Sequence, residues 1–344
     1  MLPDEPKRER LPAQPPRVEV ARQLEGFVPP PRFGTTSFDT YAPTHESQHA
    51  AVASVTTFVD AASRTQARRW PWQRGQQGAG LYLDGGFGVG KTHLLAAAWH
   101  ASPLPPSKKR YMSFQELVYL LGVLGREGAQ TAFEDVQLVC LDEFELDDPG
   151  NTLLIAMFLR QAFERDMRVI TTSNTDPASQ GRGRFAAADF QREIQGIASR
   201  FDVVAIDGAD YRAGFRDASW STEGEMREAE ARVAGRVIHA PFAELVTTLE
   251  KLHPIHYRGL LEGVDLFLLD GVTTIPDQNT ALRFVHFVDK MYDLGVPLRA
   301  SGEVPLAEVF DAFYREGAYA KKHHRCTSRI REMLGEDVGA RGVR

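Results

Sequence analysis

The chain has 344 residues, of which 43% are hydrophobic and 25% charged, so it is long enough for two or three domains with cores of their own. Its formal net charge of −6 excludes a basic surface over the whole chain, of the kind that nucleic-acid binding uses, but not a local basic patch. No apolar run approaches the roughly 18–20 residues of a membrane span. Because the N-terminal segment lacks the apolar centre of a secretory signal and Cys140 lies in an apolar run, we expect a cytoplasmic protein with reduced cysteines.

Strands and helices are predicted to alternate along most of the chain. Residues 1–30 are rich in charge and proline and are expected to form a disordered leader. An amphipathic helix follows, and apolar strands are then predicted in "LYL", "VQLVCLDEF", "RVITTSN" and "DVVAID", with helical segments such as "TLLIAMFLRQAFE" between them. This order predicts an α/β fold built on a parallel sheet. Since "VQLVCL" is almost continuously apolar, its strand is expected to be buried on both faces.

The segment "GGFGVGKTHLL" lies between a short apolar strand and a stretch of strong helix formers. It matches the phosphate-binding pattern G-x-x-x-x-G-K-T, in which backbone N–H groups and a helix N-terminus hold phosphate oxygens. The lysine of this pattern reaches the β- and γ-phosphates, and the threonine hydroxyl ligates Mg²⁺. The sequence therefore predicts a site for ATP and Mg²⁺ formed by Gly85, Gly86, Phe87, Gly88, Val89, Gly90, Lys91, Thr92 and His93.

Polar residues at the ends of two later strands complete this prediction. Asp142 ends the strand "LVCLD" and is the second predicted Mg²⁺ ligand, beside Thr92. Glu143 follows it and is the candidate general base for an attacking water. Asn174 ends "VITTSN" and can orient that water or contact the γ-phosphate, whereas the alternative is a turn-forming asparagine. Hydrolysis, as opposed to binding alone, depends on Glu143.

A shift of the sequence by 128 residues, without a gap, aligns one part of the chain with another. "FQELV" at Phe114 aligns with "FAELV" at Phe242, and "VQLVCLDEF" at Val136 aligns with "VDLFLLDGV" at Val264. The alternative to a duplicated unit is a chance match of two α/β segments. The second copy offers Asp270 and Gly271 where the first has Asp142 and Glu143, and it has no phosphate loop. We therefore expect residues 211–344 to form an α/β region resembling 110–180 that hydrolyses no nucleotide, after an ATPase domain at 31–210.

The motifs "GGFGVGKTHLL", "LVCLDEF", "VITTSN" and "GADYR", with the C-terminal "HHRCTSRIREML", resemble the AFG-like family of AAA+ ATPases. The resemblance extends over about residues 32–334. It implies an AAA+ nucleotide domain, a homo-oligomer with ATP at the subunit interface, and remodelling of a protein assembly. A bacterial member of the family acts on the division ring, which implies a client such as FtsZ and attachment to the membrane only through a partner. It also places Phe33, Phe38 or Tyr41 near the adenine.

Two arginine roles remain open at this stage. The family carries a "QRxRF"-like run where this chain reads "AAADF", so the arginine that would act on a neighbouring subunit's ATP is Arg184, Arg192 or Arg200. We favour Arg200, in "IASRF". For a C-terminal sensor arginine, Arg329 fits best and Arg325 is the alternative.

Two other functions are compatible with the same motifs. One is a nucleic-acid-associated ATPase of the loader type, against which the acidic net charge counts, so that nucleic acid is not an expected partner. The other is a nucleotide-gated scaffold with little turnover. The histidine pair in "HPIHY" has no cysteine or histidine partners at usable spacing, so we expect no metal besides Mg²⁺.

Overall fold

The computed structural model describes residues 7–11, 26–64, 79–146, 148–180, 191–211, 218–315, 317 and 319–338. The strands are β1 Lys7–Glu9, β2 Gly80–Gly85, β3 Lys109–Ser113, β4 Leu138–Asp142, β5 Arg168–Ser173, β6 Phe201–Ile206, β7 Arg236–Pro241, β8 Val264–Val272 and β9 Leu298–Gly302. The helices are α1 Glu46–Arg64, α2 Lys91–Ala101, α3 Phe114–Ala132, α4 Pro149–Glu164, α5 Gln191–Ala198, α6 Glu223–Ala231, α7 Phe242–Lys251, α8 Tyr257–Leu261, α9 Gln278–Leu294, α10 Ala312–Arg315 and α11 Ala320–Gly335.

The chain divides into two compact units. The first, called here the P-loop unit, comprises Glu19–Pro29 and Phe33–Tyr211. The second, called the C-terminal unit, comprises Met1–Val18, Pro30–Arg32 and Arg212–Arg344. The chain passes for the last time from the P-loop unit to the C-terminal unit after Tyr211. The sequence predicts this boundary after residue 210.

The P-loop unit contains a parallel sheet of strand order β3-β4-β5-β2-β6. Strand β2, which leads into the glycine loop, therefore lies beside β5, and β4 lies on the far side of β5. Because all five strands run parallel, the loop, Asp142 and Asn174 emerge at the same edge of the sheet, where α/β proteins bind ligands. The predicted α/β fold with a parallel sheet is confirmed.

Strand β4 shows why its sequence is almost continuously apolar. Leu138 and Cys140 pack into a core shared with α1 and α2, whereas Val139 and Leu141 pack into a core shared with α3 and α4. Alternate side chains thus enter different cores, and both faces of the sheet are covered. Burial raises the pKa of the Cys140 thiol, which keeps it protonated, and both cysteines are free thiols.

The C-terminal unit has its own parallel sheet, of strand order β1-β7-β8-β9. Its first strand differs from the expected disordered leader, because Lys7–Glu9 pairs with Arg236–Ile238 of β7. Ion pairs hold the charged side chains of this strand: Arg8 binds Glu230 at 2.5 Å, and Arg236 binds Glu9 at 2.7 Å. Composition alone predicts disorder for these residues, but the edge of β7 supplies backbone partners that composition does not reveal.

The two sheets contain the same series of elements. In the P-loop unit the chain passes in turn through β3, α3, β4, α4 and β5. In the C-terminal unit it passes through β7, α7, β8, α9 and β9, and the three strands of each series are neighbours in the same order in their sheet. The shift of 128 residues aligns the first residues of α3 and α7, Phe114 and Phe242. This agreement supports the interpretation of residues 211–344 as a second copy without a phosphate loop. No helix in the described ranges combines the length and hydropathy that crossing a bilayer would need.

Candidate functional site: the phosphate loop and the adjacent strand ends

The glycine loop turns directly from β2 into α2, and two of its glycines adopt positive φ angles. Gly88 has φ +66° and Gly90 has φ +90°, a region that residues with a side chain rarely occupy. A Cβ at Gly88 would lie 1.6 Å from Asp210 Oδ1, and one at Gly90 would lie 2.3 Å from the ring of Tyr41. Glycine is therefore required at both positions by conformation and by space.

Helix α2 begins without a side-chain cap, whereas α3 and α4 are capped. Ser113 and Asp148 accept N–H groups in the first turns of α3 and α4, but Gly90 offers no side chain to α2. No side chain thus caps the start of α2, and the positive end of the helix dipole favours an anion there. This arrangement fits a phosphate group.

Lys91 is buried at the start of α2, and its ammonium group points into the loop. Its Nζ donates hydrogen bonds to the carbonyl oxygens of Gly85 at 2.8 Å and Gly86 at 2.5 Å, and to Asn174 Oδ1 at 2.8 Å. The predicted loop lysine and the predicted asparagine of β5 are therefore in direct contact. This contact fixes a positive charge at the point where the strand ends converge.

Asp142, predicted as a metal ligand, is buried at the end of β4. Thr92 Oγ1 donates to its Oδ1 at 3.3 Å, so the two predicted Mg²⁺ ligands are adjacent. Tyr111 donates to Oδ2 at 3.4 Å, and Thr172 donates to Oδ1. Carboxylate and hydroxyl oxygens suit Mg²⁺, which is usually held by one or two carboxylates and the substrate's phosphates. In the described part of the chain no cluster of three or more histidine, cysteine or acidic residues could hold a metal by itself.

Glu143 has a backbone conformation that is unusual for its residue type. Its φ is +59°, and such left-handed conformations of residues other than glycine cost on the order of 1 kcal/mol. At the aligned position of the second copy, Gly271 has φ +67°. Both copies thus need this turn, but only the first makes it with a glutamate. A carboxylate retained where glycine is favoured indicates that the side chain has a role.

Sequence reasoning missed Thr172, which holds Glu143 in this turn. The Thr172 hydroxyl accepts a hydrogen bond from Glu143 N at 3.0 Å while it donates to Asp142. It therefore links the end of β4 to β5 and orients both acidic residues together. The sequence carries no signal for this role, because threonine is common in buried strands.

Gln180 was also missed, although it is almost fully buried behind the site. Its Oε1 accepts from Leu146 N at 3.0 Å. Its Nε2 lies 2.8 Å from the Tyr82 hydroxyl, 3.0 Å from Ser173 Oγ and 3.2 Å from the Phe144 carbonyl. An amide side chain both donates and accepts, so Gln180 joins the segment after β4 to the tips of β5 and β2. It thereby positions the strand ends that carry Glu143 and Asn174.

The segment before α1 contacts the outer side of the loop. The Tyr41 hydroxyl donates to the Val89 carbonyl at 2.7 Å, and Gln48 Nε2 approaches the same oxygen at 3.4 Å. His93 Nε2 lies 3.0 Å from the Ser37 carbonyl, and burial lowers the pKa of this imidazole. Phe33 and Phe38 pack against the core shared by α1 and α2. Contact of any of these aromatic residues with the adenine stays a prediction.

Comparison with known proteins gives the family. The sequence profile of the AFG1-like ATPases matches residues 19–220 and 213–342. The chain belongs to the AFG1-like ATPase family. This confirms the resemblance inferred from the motifs.

Relatives of this AFG1-like protein include Cell division protein ZapE of Escherichia coli K12. It is 27% identical over 306 residues, which cover 75% of this chain and 78% of ZapE. An uncharacterized protein of Schizosaccharomyces pombe is 23% identical over 281 residues, covering 67% of this chain and 62% of that protein. Among solved structures, DnaI matches with a TM-score of 0.42 and 20% identity over 55% of this chain and 98% of DnaI.

The candidate arginines of this AFG1-like chain lie in different places. Arg200 immediately precedes β6, and its carbonyl accepts from Gly80 N at the start of β2. Since β6 has 6 residues, Arg200 lies about 20 Å along the strands from the edge that carries the loop. Its side chain therefore cannot reach the phosphate site of its own subunit. Arg192 lies exposed on α5, and Arg184 is outside the described residues.

Both candidate sensor arginines belong to the C-terminal unit and share an acidic partner there. Arg325 and Arg329 are buried on α11, and both bind the carboxylate of Asp289 on α9, Arg325 at 2.7 Å. Burial alone would raise the pKa of Asp289, but the two guanidinium groups hold it well below its usual range. This ion pair joins two helices of the unit. Both arginines are thus buried cations of this unit, and the sensor role of Arg329, or alternatively of Arg325, stays a prediction.

Proposed function

We propose that this chain binds ATP with Mg²⁺ at the loop Gly85–Thr92 and hydrolyses it. Membership of the AFG1-like ATPase family supports the reaction class. The observation that carries the proposal for this chain is the contact of Lys91 with Asn174, next to the pair formed by Thr92 and Asp142. These residues come from three separate segments, and a glycine-rich turn without a ligand would not need them together.

The loop would bind the triphosphate through its backbone amides and through Lys91. Phosphate oxygens would replace the carbonyl oxygens of Gly85 and Gly86 that now accept from Lys91 Nζ. Thr92 and Asp142 would hold Mg²⁺, which would neutralise charge on the phosphate oxygens. The uncapped start of α2 contributes the remaining donors.

Hydrolysis requires a water activated opposite the γ-phosphate. Glu143 would accept the proton of this water as the oxygen attacks phosphorus and the bond to ADP breaks. Thr172 fixes the backbone of Glu143 and thereby the point from which its side chain would extend toward the water. Asn174, held by Lys91, would donate its amide to the water or to the γ-phosphate.

The purified full-length chain is expected to release phosphate from ATP in the presence of Mg²⁺. The measurement is steady-state phosphate release with and without excess EDTA, together with equilibrium binding of a fluorescent ATP analogue. EDTA should abolish turnover, because the Thr92–Asp142 pair needs the ion to engage the phosphates. A folded protein without affinity for Mg-ATP would contradict the proposal.

Arg200 is proposed to complete the site of a neighbouring copy in a homo-oligomer. Because it lies at the opposite edge of its own sheet, it can act only between subunits. Arg200→Ala is expected to lower kcat by about 10³-fold in the isolated variant. Mixing it with Lys91→Ala should restore part of the activity, since one subunit then supplies an intact loop and the other an intact arginine.

The control for this experiment is Arg192→Ala, which removes a charge from the exposed helix α5. It should keep activity close to that of the unaltered protein. Loss of activity in Arg192→Ala, with Arg200→Ala active, would transfer the proposed role to Arg192. Failure of the mixture to recover activity would exclude action between subunits.

The energy of ATP is proposed to remodel a protein assembly in cell division. Similarity to the cell division protein ZapE supports a part in cell division. We further propose a division-ring protein such as FtsZ as the client and the cytoplasm as the site of action. A direct measurement is sedimentation of purified FtsZ polymers with this chain and Mg-ATP, compared with Mg-ADP. Polymer mass that does not respond to the nucleotide would exclude FtsZ as the client.

A further inference from the structure

Helix α3 contains a break at a residue that lines a groove between α3 and α4. Gly125 has φ +62° and ψ −171°, so the helix is interrupted there and resumes at Arg126. A Cβ at Gly125 would meet no atom within 4 Å, and therefore packing does not force the break.

The groove between these helices is apolar and reaches the core of the P-loop unit. It encloses a cavity of about 100 Å³. The rings of Phe133 and Phe158, whose centroids lie 5.0 Å apart, form part of its lining with Ala129 and Ala162. Met157 also lines it and is 46% exposed. Methionine adapts to varied apolar partners.

The polar part of the lining carries positive charge only. It consists of Arg126 and Gln130 from α3 and Gln161 and Arg165 from α4, with no acidic residue in the lining. In the described part of the chain neither Arg126 nor Arg165 has a side-chain ion pair or hydrogen bond. Two cations thus border an apolar groove without counter-charges in it, although the chain as a whole is acidic.

We propose that this groove binds a helical segment of a partner protein that carries an aliphatic stripe flanked by acidic residues. A helix laid between α3 and α4 would bury its stripe against Phe133, Phe158 and Met157, and its carboxylates would pair with Arg126 and Arg165. From Leu154 to Arg165 the groove follows α4 for about 17 Å, which accommodates three helical turns. A nucleic acid or a lipid surface is not favoured, because two cations beside an apolar floor do not form a phosphate-binding patch.

The test uses the full-length protein and a fluorescein-labelled 16-residue amphipathic peptide with leucines at helical spacing and flanking glutamates. A second peptide has lysine at every glutamate position. Fluorescence anisotropy is expected to show at least tenfold tighter binding of the glutamate peptide. The double variant Arg126→Glu/Arg165→Glu should reverse this preference, because it exchanges the charge that each peptide meets. Met157→Asp should weaken binding of the glutamate peptide at least tenfold.

Two control variants lie on the same helix outside the groove. Arg160→Glu and Leu153→Asp change exposed residues of α4 that do not line the cavity, and each should leave the affinity within about twofold. ATP turnover is the measure of intact folding for every variant. Equal affinity for both peptides, or unchanged binding by Met157→Asp, would overturn the proposal. Concentration-dependent self-association that Met157→Asp abolishes, without peptide binding, would replace the partner by a second copy of the chain.

Discussion

Replacing Glu143 with glutamine is expected to lower ATP turnover by about 10²–10⁴-fold while Mg-ATP still binds. Glutamine has nearly the same shape, so the backbone hydrogen bond from position 143 to Thr172 should persist. What the variant lacks is a basic oxygen to accept the proton of the attacking water. Phosphate release measures the loss, and titration with a fluorescent ATP analogue measures the retained affinity.

Two further variants separate this role from backbone strain. Glu143→Gly copies the aligned Gly271 of the C-terminal unit and relieves the positive φ, so its free energy of unfolding should not fall below that of the unaltered protein. It should nevertheless lose turnover as glutamine does. Glu134→Gln removes an exposed carboxylate after α3 and should change neither property. Turnover by Glu143→Gln within threefold of the unaltered protein would refute Glu143 as the base.

The residues of the site that the sequence could predict are those that stand in regular positions along the chain. Lys91 follows a glycine pattern, while Asp142, Glu143 and Asn174 each end an apolar strand. Parallel strands bring such ends to one edge, so the pattern and the topology together predict the cluster. Their contacts in the structure, such as Lys91 with Asn174, agree with that expectation.

The residues that hold the site could not be predicted in this way. Thr172 and Gln180 act across strands that are neighbours only because β5 lies between β4 and β2. Their side chains form hydrogen bonds with backbone groups. Every residue has such groups, so the sequence does not show which of them will be the partners. The sequence also presents an arginine identically whether it faces ligand or core, so it did not reveal that Arg325 and Arg329 pair with a buried carboxylate. An available signal was Asp289, an acidic residue on the apolar face of α9 that needs a buried cation.

The strand formed by Lys7–Glu9 illustrates a second limit of composition. A short segment rich in charge cannot bury enough apolar surface to order itself. Here the backbone pairs with β7, and the charges of Arg8 and Glu9 find partners on the same unit. The segment is thus ordered by the edge of an existing sheet. It binds there through backbone hydrogen bonds more than through burial of apolar side chains.

Lys91→Ala is expected to weaken Mg-ATP binding by at least about 100-fold, and turnover falls with it. The variant loses the ammonium group that would pair with the β- and γ-phosphates. It also leaves Asn174 Oδ1 and the carbonyls of Gly85 and Gly86 without the donor they share, so Asn174 loses its orientation. Binding is measured by titration, and thermal unfolding with and without Mg-ATP gives an independent measure.

Thermal unfolding is the decisive measurement, because a ligand that binds only the folded protein raises its free energy of unfolding. At a ligand concentration of 100 times Kd, binding stabilises the folded state by about 2.7 kcal/mol, which is readily seen as a rise in Tm. The unaltered chain and the control Lys251→Ala, which removes an exposed lysine of α7, should both show this rise. Lys91→Ala should unfold at the same temperature with and without the nucleotide. A rise of normal size in Lys91→Ala would mean that the triphosphate binds without this lysine, and therefore not in the loop Gly85–Thr92.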